Sequence, residues 1–213
     1  MLRKLLGRRQ KTSSVPTPQS PGPLTEAEVA EAERDLGIGF PAEYRDYLLN
    51  VSAGGVVERL HRTADGWGWQ HQDVWGEQLQ TPFPHPDSWS EYADDLGVRY
   101  PERADFADEE AFATAVEPWA REFRDLEWRQ VAGTFIARSH GCTFNTRMVV
   151  SGPLAGTMWW EDLGCCGVIV PLSLDHTVAA PQPMTFNEWL RHGADSYALK
   201  PPFEPTPTPS PKR

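Results

Sequence analysis

Residues 133–172, GTFIARSHGCTFNTRMVVSGPLAGTMWWEDLGCCGVIVPL, decide the fold. Short runs of β-branched and aromatic residues alternate here with turns rich in Gly, Asn, Pro and Ser, a pattern typical of strands joined by tight turns. The pattern predicts strands at 134–139, 146–151, 156–161 and 168–172. Because the connections are too short for the crossovers that parallel strands need, we expect an antiparallel meander.

Capping signals predict helices on either side of this sheet in the sequence. Thr25 and Glu28 have the spacing of a capping box, and Gly37 marks the end of the first helix. Thr185 and Glu188 repeat the box near the end of the chain. A sheet must bury one face. We therefore predict an α+β fold, an antiparallel β-meander packed by N-terminal and C-terminal helices in a single domain.

The middle of the chain, residues 56–128, gives weaker signals. Residues 58–61 could form a strand. Ser88 and Glu91 have capping-box spacing, so a helix is expected after Ser88. Residues 108–128 show helical periodicity, although Pro118 is expected to kink or split that helix.

Composition divides the chain into a domain and two tails. Residues 1–23 are basic and then proline-rich, which predicts a disordered linker, and residues 200–213 predict a disordered proline-rich tail. The domain is expected at 24–199. The start lacks the apolar core of a secretion signal, and no apolar run reaches the ~20 residues of a membrane helix. We therefore expect a cytoplasmic protein without stable membrane association.

The charge distribution indicates what the domain binds. The formal net charge is −10. The first tail carries +5 and the second +2, which leaves −17 for residues 24–199. A surface this acidic repels nucleic acid phosphates and attracts basic proteins. The alternative is that the charge only keeps the domain soluble.

The three cysteines do not predict a metal site. An odd number of cysteines without an export signal favours free thiols in a reducing compartment. His140 and Cys142 with the adjacent pair Cys165 and Cys166 could be drawn as metal ligands, but paired ligands two to four residues apart are missing. We therefore expect structural thiols, no metal and no cofactor.

No catalytic motif occurs in the chain, and we expect no enzyme activity. The phosphate-binding loop, the Gly-x-Ser-x-Gly elbow and the His-Glu-x-x-His pair are all absent. Glu161 and Asp162 could hold a cation or act as an acid/base pair, although an acidic pair at a strand end is more often a solvated turn.

Two groups of residues are candidates for binding a partner. Tryptophans in a glycine-rich loop can anchor an interface, although they can equally pack the loop onto the sheet. The acids of the predicted 108–128 helix form either a solvated face or a contact surface for a basic partner. With the strand-end acids, the candidate contacts are Trp67, Trp69, Trp75, Glu109, Glu110, Glu117, Glu161 and Asp162.

Residues 24–55 resemble the SUKH superfamily of Smi/Knr-type domains. The shared pattern consists of Leu24-Thr25, Glu28-Val29, Glu33, Leu36-Gly37, Phe40-Pro41, Glu43-Tyr44, Tyr47-Leu48-Leu49 and Gly54-Gly55. The predicted sheet also resembles that family through Ile136-Ala137, Gly141-Cys142, Val149-Val150-Ser151-Gly152, Gly156 and Met158-Trp159. Residues 56–128 do not align to the family pattern.

The resemblance implies an α+β fold without cofactor or catalysis. Many bacterial members are immunity proteins, which bind and neutralise toxins, often nucleases. We therefore predict an immunity protein for a polymorphic toxin, such as a basic nuclease domain, with no direct binding to nucleic acid. One alternative is an intracellular scaffold or regulator without a toxin partner. Another is an unrecognised enzyme that uses His140, Cys142 or Glu161.

Overall fold

The computed structural model describes residues 21–70, 72 and 76–202. Most of the two predicted tails, and Trp75, lie outside the described residues. Residues 21–23 of the predicted linker pack on the domain, because the Pro21 carbonyl accepts a hydrogen bond from Ser52 Oγ at 2.6 Å and the Gly22 carbonyl accepts one from the Ala53 amide at 3.0 Å.

The described part is a mixed α+β structure. Its helices are α1 (Glu26–Leu36), α2 (Ala42–Asn50), α3 (Glu77–Gln80), α4 (Ser90–Val98), α5 (Glu109–Gln130), α6 (Phe186–Arg191) and α7 (Ser196–Leu199). Its strands are β1 (Leu60–Thr63), β2 (Gly66–Trp69), β3 (Thr134–Ser139), β4 (Asn145–Val149), β5 (Met158–Asp162) and β6 (Val168–Pro171).

The predicted meander is confirmed. Strands β3, β4, β5 and β6 are neighbours in chain order, and each pair is antiparallel. A separate hairpin pairs β1 with β2. The strand predicted at 58–61 lies two residues later. Strand β2 was not predicted, although Asp65-Gly66, a pair typical of hairpin turns, stands at its start.

The sheet buries side chains on both faces. On one face Phe135, Met148 and Trp160 pack with residues of α1, α2 and α6 in the main core. On the other face Val149 and Trp159 belong to a smaller cluster. Since successive side chains of a strand point to opposite faces, β5 contributes to both layers, and all of its five residues are buried.

Both capping boxes are confirmed. Thr25 and Glu28 bond reciprocally at the start of α1, and Thr185 and Glu188 do so at the start of α6. Gly37 ends α1 with φ +69°, the left-handed conformation that glycine adopts without strain.

Removal of the first cap should weaken the fold measurably. Thr25→Ala leaves a backbone N–H of the first turn of α1 without its side-chain acceptor, and we expect a loss of about 1 kcal/mol in the free energy of unfolding. Urea denaturation measures this loss. Thr25→Ser keeps the oxygen and is the matched control, so an equal loss in both variants would contradict the capping explanation.

One local prediction in the middle of the chain was wrong. The Ser88–Glu91 capping box does not form, because Ser88 lies in a 3-10 turn and its Oγ donates to the His85 carbonyl at 2.7 Å. Of the kink or split expected at Pro118, the split does not occur, since α5 is continuous from Glu109 to Gln130. Thr114, whose carbonyl loses its helical partner to the proline, is exposed, so water can satisfy that group.

Candidate partner-binding surface

Helices α4 and α5 form an antiparallel helical hairpin. Tyr92 of α4 contacts Glu122 of α5, whereas Tyr100, just after α4, contacts Trp119 and Phe112. Residues later in the α4 segment therefore contact residues earlier in α5, as expected of antiparallel helices. We call residues 86–130 the α4–α5 hairpin.

The α4–α5 hairpin leaves the body of the fold and returns to it at one place. Close to its start, the Phe83 amide donates to the Ser151 carbonyl at 3.0 Å. Close to its end, the Gly133 amide donates to the Gln78 carbonyl at 2.7 Å. A Cβ atom on Gly133 would lie 2.7 Å from the Phe83 nitrogen, so the two backbones are in direct contact.

Aromatic contacts hold the two helices together. The Trp119 indole donates to the Leu96 carbonyl at 2.8 Å and stacks on Phe123 with a centroid separation of 5.0 Å. Tyr100 meets the Trp119 ring edge-on at 4.8 Å. Rings packed in these geometries contribute beyond their buried area, so they hold α4 against α5 although Tyr100 and Phe123 remain partly exposed.

The α4–α5 hairpin nevertheless exposes a large apolar area. Val98 is 86% exposed, and several aromatic side chains nearby are more than a third exposed. The exposed large apolar residues of the hairpin are Tyr92, Val98, Tyr100, Phe123 and Trp128. Exposed aromatic side chains gathered on one unit mark a surface on which another protein can dock.

The same hairpin is the most clearly acidic unit of the described chain. Residues 86–130 contain 13 acidic and 5 basic residues, a formal charge of −8, nearly half of the −17 of the domain. Glu109, Glu110 and Glu117 are exposed on α5, which fits a solvated face and a contact surface alike. Glu109 pairs with Arg103 at 3.0 Å and Glu117 with Arg121 at 3.6 Å. Exposed pairs of this kind stabilise the protein little.

Arg99 ties the acidic residues of the two helices together. Its guanidinium donates to Asp95 and Glu122, and these two hydrogen bonds raise the pKa of Arg99. The pKa of Glu122 is lowered, first by the hydrogen bond from Arg99 and then by the one from Tyr92. Glu122 therefore remains ionised beside Arg99.

The tryptophans of the glycine-rich loop lie inside the protein. Trp69 is 2% exposed, stacks on Phe135 at 4.2 Å and donates its indole N–H to Tyr44 at 2.9 Å. Trp67 is 7% exposed and lies under the guanidinium of Arg62. The structure thus agrees with tryptophans that pack the loop down. Partner contact with either ring would require β1 and β2 to move, so we leave both out of the interface.

A groove runs between the end of α1 and the β1–β2 hairpin. Its volume is about 820 Å³, and Asp35, Asp65 and the edge of Trp67 contribute to its lining. The described lining residues include two acids and neither lysine nor arginine. The groove shares the negative charge of the α4–α5 hairpin but lacks its exposed apolar side chains.

Glu161 lies within the sheet rather than in a solvated turn. Its carboxylate accepts hydrogen bonds from Arg147 Nε and from Asn145 Nδ2, both at 2.9 Å. Arg147 also donates to Thr134 Oγ1 at 3.1 Å. Burial lowers the pKa of Arg147, while its pairing with Glu161 opposes that shift. This ion pair is buried and forms part of the packing of the sheet, whereas the acids of α5 are exposed.

Asp162 is also buried, at the end of β5. It is 1% exposed, and its Oδ1 has no hydrogen-bond partner in the structure. The three cysteines are free, as predicted, and they are exposed in turns outside the core. Among the described residues, Asp162, Cys165 and Cys166 place their ligand atoms within 4.8 Å of one another.

The groups proposed for an unrecognised enzyme do not converge. The His140 ring lies 5.2 Å from the ring of Trp160, and its Nε2 is 2.8 Å from Thr146 Oγ1. Burial lowers the pKa of His140. Because Glu161 follows Trp160 in β5, it points to the opposite face of the sheet. A catalytic site that used both His140 and Glu161 would need groups on opposite faces of the sheet.

The sequence indicated only part of the hairpin surface. Its acidic residues were predicted as candidate contacts, but its exposed apolar residues were not. Val98, Tyr100 and Trp128 lie off the helical faces that the apolar spacing predicts. Large apolar residues away from the apolar face of an amphipathic helix are the signal that would have found this surface. None of the described helices has the length and apolar character needed to cross a bilayer.

Comparison with known proteins gives one family. Residues 23–118 match the model of the SMI1 / KNR4 family (SUKH-1). The match contains α1 to α4 and part of α5, and so it includes most of the middle segment that did not align by its pattern. It ends before the four-stranded sheet. No curated protein and no solved structure matches the chain significantly.

Proposed function

We propose that this chain, whose residues 23–118 match the SMI1 / KNR4 family (SUKH-1), is a cytoplasmic immunity protein that binds and neutralises a polymorphic toxin. The protein acts by binding alone and needs no cofactor. Its partner is a basic protein domain, such as a toxin nuclease, and the interface is the α4–α5 hairpin.

The observation that carries this proposal is the combination of exposed aromatic side chains and acids on one unit. Trp128 and Tyr100 are 40% and 45% exposed, and the carboxylates of Glu110 and Glu117 lie exposed on the same hairpin. Aromatic residues supply the buried centre of many protein interfaces, while surrounding charges steer the approach of the partner.

The sign of the charge selects the class of partner. A hairpin with a formal charge of −8 attracts basic surfaces and repels nucleic acid. A nuclease that binds nucleic acid needs a basic surface, so an acidic inhibitor can cover the very surface that the toxin uses. This complementarity also favours rapid capture, which an immunity protein needs because free toxin is harmful at once.

Charge reversal on α5 tests the proposal. In the variant Glu109→Lys/Glu110→Lys/Glu117→Lys the association rate with the toxin should fall about tenfold or more at low ionic strength, because the steering field is reversed. The toxin is first identified by capture on the wild-type chain and mass spectrometry. Association is then measured with the purified toxin domain, and growth rescue is measured in cells that express that toxin.

The matched control is Asp46→Lys/Asp65→Lys/Asp175→Lys, which makes the same change in charge at exposed acids outside the hairpin. It should keep most of the association rate and the growth rescue. If both triple variants bind equally fast, the hairpin is not the steering surface. If no captured protein arrests growth, the immunity function itself is contradicted.

Removal of the tails separates immunity from the scaffold alternative. The immunity proposal places binding in the folded domain, so a chain without residues 1–20 and 203–213 should still protect cells. A scaffold that recruits proteins through its tails would lose its partners on the same deletion.

A further inference from the structure

The turn between β5 and β6 gathers three metal-ligating side chains that the proposed function does not use. Asp162 ends β5, and Cys165 and Cys166 lie in the turn that leads to β6. One carboxylate oxygen and two Sγ atoms lie within 4.8 Å of one another. All three residues come from one five-residue segment of a hairpin whose strands are paired on both sides of the turn.

The spacing of the two sulfur atoms fits coordination of one tetrahedral ion. Cys165 Sγ and Cys166 Sγ are 3.7 Å apart. Two thiolates bound to Zn²⁺ at about 2.3 Å each, with a tetrahedral angle between them, are about 3.8 Å apart. The sulfur atoms therefore need little movement to share an ion.

The carboxylate of Asp162 supplies a second, independent observation. The side chain is 99% buried, yet its Oδ1 has no hydrogen-bond partner. A buried polar atom without a partner is costly and calls for an explanation. Next to two thiols, the group that would satisfy it is a cation.

We infer that Asp162, Cys165 and Cys166 form a binding site for a thiophilic metal ion of the Zn²⁺ class. Three protein ligands leave one tetrahedral position free. Because both cysteines are exposed, that position faces solvent and takes a water molecule. The site is separate from the α4–α5 hairpin and does not depend on the proposed function.

Binding at this site exchanges protons for the metal. A metal ion binds cysteine as the thiolate, so each free thiol gives up its proton when the ion binds. When the ion binds, the two S–H bonds break, two metal–sulfur bonds form and the protons pass to the buffer. No oxidant or reductant takes part in this step.

The site differs from the one that the sequence suggested. His140 and Cys142 were drawn together with the cysteine pair, but neither belongs to the cluster. Although the two cysteines are adjacent in sequence, their sulfur atoms lie 3.7 Å apart, next to the end of β5.

The test uses Co²⁺ as a spectroscopic probe for the Zn²⁺ class. The full chain is reduced, stripped with a chelator and titrated with Co²⁺, and the sulfur-to-cobalt charge-transfer absorption is followed. We expect one equivalent to bind, with the absorption of a tetrahedral ion bound to two thiolates. Added Zn²⁺ should displace the cobalt, and proton release should accompany binding of either ion.

Variants decide which residues bind the ion. Cys165→Ser/Cys166→Ser should abolish the charge-transfer absorption, whereas Cys142→Ser, the matched exposed cysteine outside the cluster, should leave it unchanged. Asp162→Asn should weaken cobalt binding at least tenfold. Its thermal melt is recorded without metal, to separate loss of binding from loss of fold.

Three results would overturn the inference. The first is a wild-type chain without saturable one-to-one binding of Co²⁺. The second is absorption that persists in the double serine variant. The third is an affinity of Asp162→Asn equal to that of the wild type. The double serine variant changes only exposed side chains, so the test remains decisive even if Asp162→Asn does not fold.

Discussion

Glu161→Gln should lower the free energy of unfolding by about 3–5 kcal/mol, the usual cost of removing one partner of a buried ion pair. The side chains of Arg147 and Glu161 are only 10% and 8% exposed. The variant leaves a largely buried guanidinium without its carboxylate. Denaturation in urea, followed by tryptophan fluorescence, measures the loss.

Two further variants serve as controls for Glu161→Gln. Glu161→Gln/Arg147→Met removes both charges and should be more stable than Glu161→Gln alone, because no unpaired charge remains buried. Glu117→Gln breaks the exposed pair with Arg121 and should change stability by less than about 0.5 kcal/mol. A small effect of Glu161→Gln would mean that solvent reaches Arg147.

Trp69→Ala should also destabilise the protein by about 3–5 kcal/mol, since it removes a buried aromatic ring and leaves a cavity. The ring is parallel to Phe135 within 11°, and its N–H is bonded to Tyr44. Trp69→Phe keeps much of the apolar volume but loses the hydrogen bond, and it should cost less than the alanine variant. Thermal and urea unfolding report both effects.

The matched control for Trp69 is a tryptophan on the α4–α5 hairpin. Trp128 is 40% exposed, so Trp128→Ala should leave stability within about 0.5 kcal/mol of the wild type. A large loss of stability in Trp128→Ala would contradict the surface position of Trp128. A negligible loss in Trp69→Ala would contradict the core position of Trp69.

Features that depend on neighbouring residues were predictable from the sequence. The capping boxes at Thr25 and Thr185 each need only four residues, and both formed. The meander was predictable because glycine-rich turns separate its strands and leave little choice of pairing. The family match then supports the domain that residues 24–55 resemble.

Features that depend on distant residues were not predictable. Glu161 is buried because Arg147, on the neighbouring strand, neutralises it, and the sequence around Glu161 contains no sign of that pairing. The burial of Trp69 likewise depends on Tyr44 and Phe135. The exposed side of the α4–α5 hairpin became visible only once the packing of its two helices was known.

The adjacent entry and exit of the α4–α5 hairpin have a consequence for its dynamics and its evolution. Because Phe83 and Gly133 are held together by the body of the fold, we expect the segment between them to unfold locally before the sheet does, once Trp89 leaves the smaller cluster. Its amides should then exchange with solvent sooner than those of β3–β5. Substitutions on its outer face have little effect on the folding of the rest, so partner specificity can diverge while the architecture is retained.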